Sequence, residues 1–224
     1  MDEKFQMPKD CAKEVFTSRF VSVYDLQYAP GKHYYDATRH TKENLNAAMT
    51  GEEIEASAPD GVNLTVILTS PGQEPRLYLQ YEFRYPTGQY LLSPPAGLVD
   101  EADKKEPHPI RTTAVRELYE ETGIQVKDSD RVFEISPFVF SSPGMTDESN
   151  GLVCIVADVP DLSVINHNGA VGSEKFGSYR LFDRKHALEL IRSGKDEHGM
   201  YYPVYTLVSL LYFVSGLWYS ENEG

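Results

Sequence analysis

Apolar and polar residues alternate along several short stretches of the chain, and this pattern predicts a β-sheet. Residues 62–69 and 76–83 are the strongest strand candidates, and the SPGQ sequence at residues 70–73 forms a turn between them. Residues 132–135, 151–159 and 179–182 are further strand candidates. We therefore expect most of the chain to contribute to one sheet.

A second, smaller group of strands is predicted ahead of this sheet. Residues 20–26 and 34–39 alternate in the same way, and the APGK sequence at residues 29–32 favours a turn. Residues 42–49 form a polar, weakly helical piece, and an acidic loop follows. We predict a small N-terminal β-hairpin module over residues 1–59 and a main domain over residues 60–224.

Helices are predicted between and after the strands of the main domain. Residues 110–122 have helical character, with Pro109 in the first turn and Gly123 as the C-cap. Asp183 is a candidate N-cap for a helix that stops at Gly194. Strands interleaved with helices indicate an α/β fold with a mixed sheet between helices.

The apolar run at residues 201–219 is almost long enough to cross a membrane. A tail anchor is one interpretation. Polar residues interrupt the run, however, and acidic rather than basic residues follow it. The apolar residues recur at helical spacing, which favours a buried or interface helix whose stripe faces a core, and we expect no membrane partner. The predicted stripe consists of Leu207, Leu210, Leu211, Val214, Leu217 and Trp218.

Composition narrows the class of protein. A net charge of −13 argues against nucleic acid as a partner, because nucleic-acid-binding domains carry basic patches. A polyanionic substrate is still compatible with this charge if divalent cations lie between it and the protein. Cys11 and Cys154 form no metal-type spacing and no disulfide framework, and the N-terminal residues lack an apolar signal-peptide core. We therefore expect a cytoplasmic protein.

Three glutamates lie on one face of the predicted helix at residues 110–122. Glu117, Glu120 and Glu121 stand at helical spacings of three and four residues, where like charges repel. A solvated acidic face is one explanation for such a cluster. A site for Mg²⁺ or Mn²⁺ is the other, because hard cations prefer oxygen ligands. No Ser-His-Asp or phosphate-loop pattern is present in the sequence, and His108 is interpreted as a surface residue.

The surrounding residues give these glutamates a specific context. Residues 116–124, RELYEETGI, resemble the second half of the Nudix box, Arg-Glu-U-x-Glu-Glu-x-Gly-U with U aliphatic. The first half of the box is less regular. Counting back from Arg116 puts His108 at the glutamate position and Ala102 at the glycine position. Counting forward from Gly97 puts Asp103 at the acidic position and implies about five inserted residues within 103–109. We favour the second registration, with Asp103 or Glu106 in place of the missing glutamate.

The resemblance implies a Nudix-type α/β/α sandwich and a metal-dependent hydrolase of a nucleoside-diphosphate linkage. By the same resemblance, Glu117 and Glu121 are the principal metal ligands, Glu120 is a third, and the Ala96 carbonyl is a backbone ligand. Arg116 holds the glutamates in register, and Arg116 and Glu120 count among the catalytic residues. The expected cofactor is Mg²⁺ or Mn²⁺.

Two further segments resemble the ADP-ribose pyrophosphatase branch of the family. In residues 79–97, LQYEFRYPTGQYLLSPPAG, Arg84 is the implied diphosphate contact and Gly97 the implied substrate-binding glycine. Residues 142–148, SPGMTDE, resemble the loop whose glutamate activates water, which makes Glu148 the implied general base, with Gly144 and Met145 at the substrate. The structural alternatives are a surface arginine and a plain turn.

The implied substrate is ADP-ribose or a related nucleoside-diphosphate sugar, hydrolysed to a nucleoside monophosphate and a sugar phosphate. Another Nudix substrate, such as a dinucleotide polyphosphate or modified nucleotide, and a non-catalytic nucleotide-binding module are the alternatives. The N-terminal module is typical of this branch, where it helps to form a homodimer and part of the nucleotide pocket. The aromatic residue that stacks on a base is not fixed by the sequence; the candidates are Tyr24, Tyr28, Tyr34 and Tyr35.

Overall fold

A computed structural model describes residues 7–169 and 174–219, apart from the side chain of Lys9. Three parts of the two predicted domains lie outside the described residues: 1–6, 170–173 and 220–224. The chain divides into two compact units. The first contains residues 1–60 and 137–150, and the second contains residues 61–136 and 151–224.

The first unit is built on a three-stranded antiparallel sheet in the order β1 (Ala12–Thr17), β2 (Ser22–Ala29) and β3 (Lys32–Thr38). The predicted hairpin corresponds to β2 and β3, and Gly31 adopts a φ of 65° in its turn. The sheet has one strand more than the predicted hairpin, because β1 also pairs with β2. Only the first residue of β1 is buried, so its sequence has no alternation that would reveal a strand.

A small core of Ala12, Tyr24, Leu26 and Leu45 lies in this unit. The predicted weakly helical piece consists of two 3₁₀ turns, Lys42–Asn44 and Asn46–Ala48. The acidic segment after it was predicted as a loop but contains the short helix α1 (Gly51–Glu55). Thr50 and Glu53 form a reciprocal capping box at its start, and this satisfies backbone N–H groups that a loop would expose.

The loop at residues 141–148 belongs to this first unit although it lies far along the chain. The Tyr34 hydroxyl donates a 2.7 Å hydrogen bond to the Gly144 carbonyl. The Asn46 side chain donates a 3.0 Å hydrogen bond to the Asp147 carbonyl. The N-terminal segment therefore holds the loop through direct contacts.

The second unit is organised around one sheet. Its strands are β4 (Gly61–Thr69), β5 (Arg76–Arg84), β6 (Gln89–Ser93), β7 (Ala96–Leu98), β8 (Arg131–Phe140), β9 (Ser149–Asp158) and β10 (Phe176–Phe182). Their order is β10-β5-β4-β9-β8, with β6 paired to β5 and β7 paired to β4. The last residues of β8 and the first of β9 fall in the first unit. The short strands β6 and β7 were not predicted, and their length explains why no pattern revealed them.

Three helices cover the two faces of this sheet: α2 (Pro109–Thr122), α3 (Arg184–Ser193) and α4 (Val204–Ser215). Val62, Leu64 and Val66 of β4 pack in one cluster with Leu118 of α2. Side chains on the opposite face of the sheet, such as that of Ile67, pack in a second cluster with α3 and α4. The predicted α/β/α sandwich around a mixed sheet is confirmed.

The C-terminal helix packs with a different face from the predicted one. Leu210 and Trp218 are buried as expected, but Leu211 and Leu217 are exposed. Thr206 and Ser209 are buried instead, because their hydroxyl groups bond to the Leu92 carbonyl and to Thr65. Helix α4 is shorter than the apolar run, and in the described residues no helix is long and apolar enough to span a membrane.

Candidate functional site

Helix α2 carries the predicted glutamates. Pro109 begins it, and Gly123 ends it with a φ of 71° and a 2.8 Å hydrogen bond from its N–H to the Tyr119 carbonyl, as predicted. Glu117 and Glu121 are 8% and 3% exposed, whereas Glu120 is only half-buried. The acidic face of the helix is therefore turned largely into the protein rather than toward water.

Strand β7 lies directly against the first of these glutamates. A Cβ atom added to Gly97 would lie 1.9 Å from Glu117 Cδ, so only glycine leaves room for the carboxylate in this position. The next carbonyl along the strand, that of Leu98, accepts a 3.1 Å hydrogen bond from Arg116 Nη2. The structure thus brings the predicted start of the box and its regular second half together.

Arg116 connects several carboxylates around the helix. Its Nε and Nη2 donate to Asp103 Oδ2 at 3.1 and 2.9 Å, and its Nη1 donates to Glu117 Oε1 at 2.8 Å and Glu120 Oε2 at 3.0 Å. Such charge-assisted hydrogen bonds fix the geometry of the side chains that they join. Arg116 therefore joins Asp103, Glu117 and Glu120 through one guanidinium group, and its role in holding the glutamates for a metal ion stays a prediction.

Asp103 and Glu106 were both candidates for the irregular acidic position. Asp103 is buried, pairs with Arg116 and also accepts a 3.0 Å hydrogen bond from Thr113 Oγ1. Glu106 is exposed, and so is His108, which precedes α2 without capping it through its side chain. The geometry favours the registration that counts forward from Gly97 and assigns Asp103 as the partner of Arg116.

Glu121 has a partner that the sequence did not indicate. Gln80 on β5 is fully buried, and its Nε2 donates a 2.6 Å hydrogen bond to Glu121 Oε2. The Tyr78 hydroxyl donates to Gln80 Oε1 at 3.0 Å. Gln80 and Tyr78 lie at least 41 positions before Glu121, so no local sequence motif predicts this arrangement.

Burial makes the ionised form of both inward glutamates costly. It raises the pKa of Glu117 to about 7, although Arg116 opposes the shift. Burial also raises the pKa of Glu121 well above its ordinary value, and the nearby charges of Glu82 and Glu117 add to that effect. A bound divalent cation would stabilise the ionised forms, because an opposite charge favours the deprotonated carboxylate.

The carboxylates of Glu117 and Glu121 suit a hard cation that takes the rest of its coordination shell from other ligands. Across residues 7–169 and 174–219, no three His, Cys, Asp or Glu side chains converge as a ready-made metal site. Glu120 is only half-buried, which leaves Glu117 and Glu121 as the buried pair on this helix. Mg²⁺ is often held by one or two carboxylates together with phosphate and water, so the pair fits this cation. Ala96, the predicted backbone ligand, lies in β7 opposite Asn63.

Arg84, the predicted diphosphate contact, ends strand β5. Its Nη2 lies 2.7 Å from Glu82 Oε2, and its side chain is 41% exposed. Burial raises the pKa of Glu82, and the charge of Arg84 lowers it. Arg84 is therefore paired within the protein yet open to solvent, and its contact with a diphosphate stays a prediction.

Glu148, the predicted general base, lies in the first unit. Arg39 Nε donates to Glu148 Oε1 at 3.1 Å, and Ser141 Oγ donates to Glu148 Oε2 at 3.2 Å. Of the two predicted substrate-binding residues in the same loop, Gly144 accepts the hydrogen bond from Tyr34 and Met145 is exposed.

A cavity in the first unit combines apolar walls with buried carboxylates. Asp36 and Asp147 line it, and one oxygen of each has no hydrogen-bond partner among the described residues. Burial and the nearby Asp147 raise the pKa of Asp36 to about 6. Tyr34 is the one candidate stacking tyrosine in the lining, since Tyr24 is buried in the core. The remaining lining residues are Leu26, Asn46, Ala47, Phe140, Pro143, Met145 and Thr146.

Comparison with known proteins places this geometry in a family. The model of the NUDIX domain matches residues 59–202, which is more than half of the chain. The chain belongs to the Nudix family. The match contains both β7 and α2, the two elements that bring Gly97 and Glu117 together.

Two curated relatives are similar to part of the chain. The Saccharomyces cerevisiae ADP-ribose pyrophosphatase is 36% identical over 101 residues, which are 45% of this chain and 40% of that protein. The Mus musculus ADP-sugar pyrophosphatase is 27% identical over 143 residues, which are 64% of this chain and 61% of that protein. The matched part of this chain thus spans less than two thirds of either relative.

A solved structure described as an ADP compounds hydrolase has the same fold. Its TM-score is 0.52, its sequence identity is 16%, and the match covers 92% of each chain. At this identity the likeness supports the Nudix fold alone.

Proposed function

We propose that this Nudix protein is a metal-dependent pyrophosphatase that hydrolyses ADP-ribose or a related nucleoside-diphosphate sugar to a nucleoside monophosphate and a sugar phosphate. The observation that carries the proposal is the buried pair Glu117 and Glu121 on α2, with Gly97 against the first of them. The names of the yeast and mouse relatives support the substrate class.

In this proposal, Glu117 and Glu121 hold Mg²⁺ or Mn²⁺ together with the Ala96 carbonyl, and Glu120 serves as a further ligand. When bound, the ion neutralises the diphosphate and acidifies water. Arg116 keeps the carboxylates in place, and Arg84 exchanges its bond with Glu82 for bonds to the diphosphate. Glu148 accepts the proton of the attacking water.

The chemistry of the cavity in the first unit suits a nucleoside. Its apolar and aromatic walls suit a planar base, and Tyr34 is our candidate for stacking. The unpartnered oxygens of Asp36 and Asp147 accept hydrogen bonds, so they suit a base that carries an amino group, such as adenine. Gly97, Gly144 and Met145 are the remaining proposed substrate contacts.

The test is hydrolysis of ADP-ribose with Mg²⁺, followed by chromatography for AMP and ribose phosphate. We expect Glu121→Gln to lower turnover by more than about a hundredfold, because a direct ligand matters more than its supporting residues. Glu189→Gln, on the exposed surface of α3, is the matched control and keeps wild-type turnover.

Other substrates and outcomes distinguish the alternatives. A preference for dinucleotide polyphosphates over ADP-ribose would reject the proposed substrate class. A melting-temperature shift with ADP-ribose but no product would instead indicate a binding module. Unchanged turnover in Glu121→Gln would reject the metal assignment.

We further propose a homodimer in the cytoplasm. Exposed apolar residues of β1 and of the turn that follows it, including Val15, Phe16 and Phe20, supply a surface for a second copy. The free thiols of Cys11 and Cys154 suit a reducing compartment. Light scattering of the purified protein tests the dimer, because a monomer mass at micromolar concentration contradicts it.

A further inference from the structure

We propose that Gln80 is a positioning residue for the metal ligand Glu121, and that Tyr78 determines which way the Gln80 amide faces. The inference rests on the proposed role of Glu121 at the metal. It adds two residues that neither the Nudix box nor the sequence pattern identifies. All three side chains belong to the second unit.

The hydrogen bond from Gln80 to Glu121 controls a buried carboxylate. Glu121 is 3% exposed and Gln80 is fully buried, so water has little access to the bond between them. The Gln80 Nε2–Glu121 Oε2 distance of 2.6 Å is short for an amide donor. Because Nε2 occupies one acceptor direction of Oε2, it fixes the plane of the carboxylate and restricts the directions left for a cation.

An amide side chain presents a donor on one side and an acceptor on the other. Rotated by half a turn, Gln80 would place Oε1 against the Glu121 carboxylate, and two acceptors would repel each other. The Tyr78 hydroxyl favours the observed arrangement, because it donates to Oε1 at 3.0 Å and so satisfies the amide oxygen on the side away from Glu121. Burial raises the pKa of the Tyr78 hydroxyl, so it remains a donor across the working pH range.

The Tyr78 ring is itself held in place. It is fully buried and stacks on Tyr179 of β10 at a centroid distance of 5.5 Å with an interplanar angle of 21°. The hydroxyl therefore has little freedom to leave Gln80. The result is a directed series of hydrogen bonds, from Tyr78 to Gln80 to Glu121.

A neutral donor suits this place better than a cationic one. A lysine or arginine beside Glu121 would compensate its charge fully and compete with a divalent cation. An amide stabilises one oxygen but leaves the net negative charge, so the carboxylate still attracts a metal ion. Partners that support metal ligands in this way contribute about ten- to a hundredfold to metal affinity.

Binding of Mn²⁺ alone, measured by the loss of the electron paramagnetic resonance signal of the free ion, tests the inference without substrate. We expect Gln80→Met, which keeps the length of the side chain but removes the amide, to weaken Mn²⁺ binding by about ten- to a hundredfold. Tyr78→Phe keeps the ring and removes the orienting hydroxyl, and we expect a loss of a few-fold.

Tyr179→Phe is the matched control, because it removes a hydroxyl from the other ring of the same stack, one that is not part of the series. We expect wild-type Mn²⁺ affinity in this variant. Melting temperatures without metal identify any variant that fails to fold, and Tyr78→Phe, the smaller change, then carries the test.

The outcomes separate this inference from the proposed function. Wild-type Mn²⁺ affinity in folded Gln80→Met or Tyr78→Phe would overturn it, as would a wild-type protein that binds no Mn²⁺. A wild-type protein that binds Mn²⁺ without hydrolysing ADP-ribose, together with weakened binding in Gln80→Met, would leave the inference standing and reject the proposed substrate.

Discussion

Each unit of the protein buries a pair of carboxylates, and the two pairs are supported differently. In the second unit, side-chain donors reach both members, since Arg116 bonds Glu117 and Gln80 bonds Glu121. In the first unit, Asp36 accepts the backbone N–H of Asp147 at 3.1 Å, and its second oxygen has no partner among the described residues. The first arrangement orients carboxylates for a cation, whereas the second leaves an acceptor that a proton or a ligand N–H group can satisfy.

This comparison predicts that turnover depends on the exact position of the carboxylates in the glutamate pair. Gly97→Ala places a methyl group where the Glu117 carboxylate now lies. The carboxylate is the flexible end of a side chain and can move aside, so we expect a small change in melting temperature. Displacement of a ligand by about 1 Å is expected to lower turnover by about a hundredfold. Assays of ADP-ribose hydrolysis and calorimetry measure the two effects separately.

The control for this substitution is Gly51→Ala, because a Cβ at Gly51 would meet nothing within 4 Å. Turnover in that variant should match the wild type. If Gly97→Ala also retains full turnover, the carboxylate of Glu117 does not have to occupy its observed position.

The aspartate pair should instead affect how the free energy of unfolding depends on pH. The pKa of Asp36 is raised from 3.8 to about 6, so the folded state penalises its ionised form. Stability is therefore lost as pH rises from about 4 to 6. Asp36→Asn removes the penalty, and we expect it to increase the free energy of unfolding by about 2 kcal/mol at pH 8.

Urea denaturation at pH 4 and pH 8 measures this difference. The gain should shrink toward pH 4, where Asp36 is protonated in the folded state and partly protonated in the unfolded state. Asp10→Asn, at an exposed position of the same unit, is the control and should change little at either pH. An equal effect of Asp36→Asn at both pH values would contradict the explanation.

The smallest expected effect concerns the partner of Glu148. The Arg39–Glu148 pair is more than a third exposed on both sides, and such pairs contribute at most about 1 kcal/mol. We expect Arg39→Ala to lower kcat by up to about fivefold with little change in KM. Steady-state kinetics test this, with the exposed Arg19→Ala as control, and a raised KM with unchanged kcat would indicate a substrate contact instead.

The sequence predicted those features that depend on local residues. Gly123 and Pro109 bound helix α2 because capping and N-terminal preferences act within a few residues. Arg84 likewise ends β5, one residue beyond the predicted strand. The predicted α/β/α architecture followed from the order of these local elements.

Features that depend on tertiary contacts were not predictable in the same way. Leu211 and Leu217 were expected inside, but the bonds of Thr206 and Ser209 turn a different face of α4 inward. The choice between Asp103 and Glu106 required knowing which one reaches Arg116. The hydrogen bond between Gln80 and Glu121 was not predicted, because the two residues lie on different elements, β5 and α2.

The attachment of the 141–148 loop to the first unit has a consequence for the order in which the protein folds. The hydrogen bonds from Tyr34 to Gly144 and from Asn46 to Asp147 join residues 110 and 101 positions apart. A ribosome must therefore synthesise about two thirds of the chain before the N-terminal segment can acquire these partners, and contacts of such long range slow folding. We infer that residues 1–60, expressed alone, are not an independent folding domain, and that their removal leaves the Glu148 loop without its support.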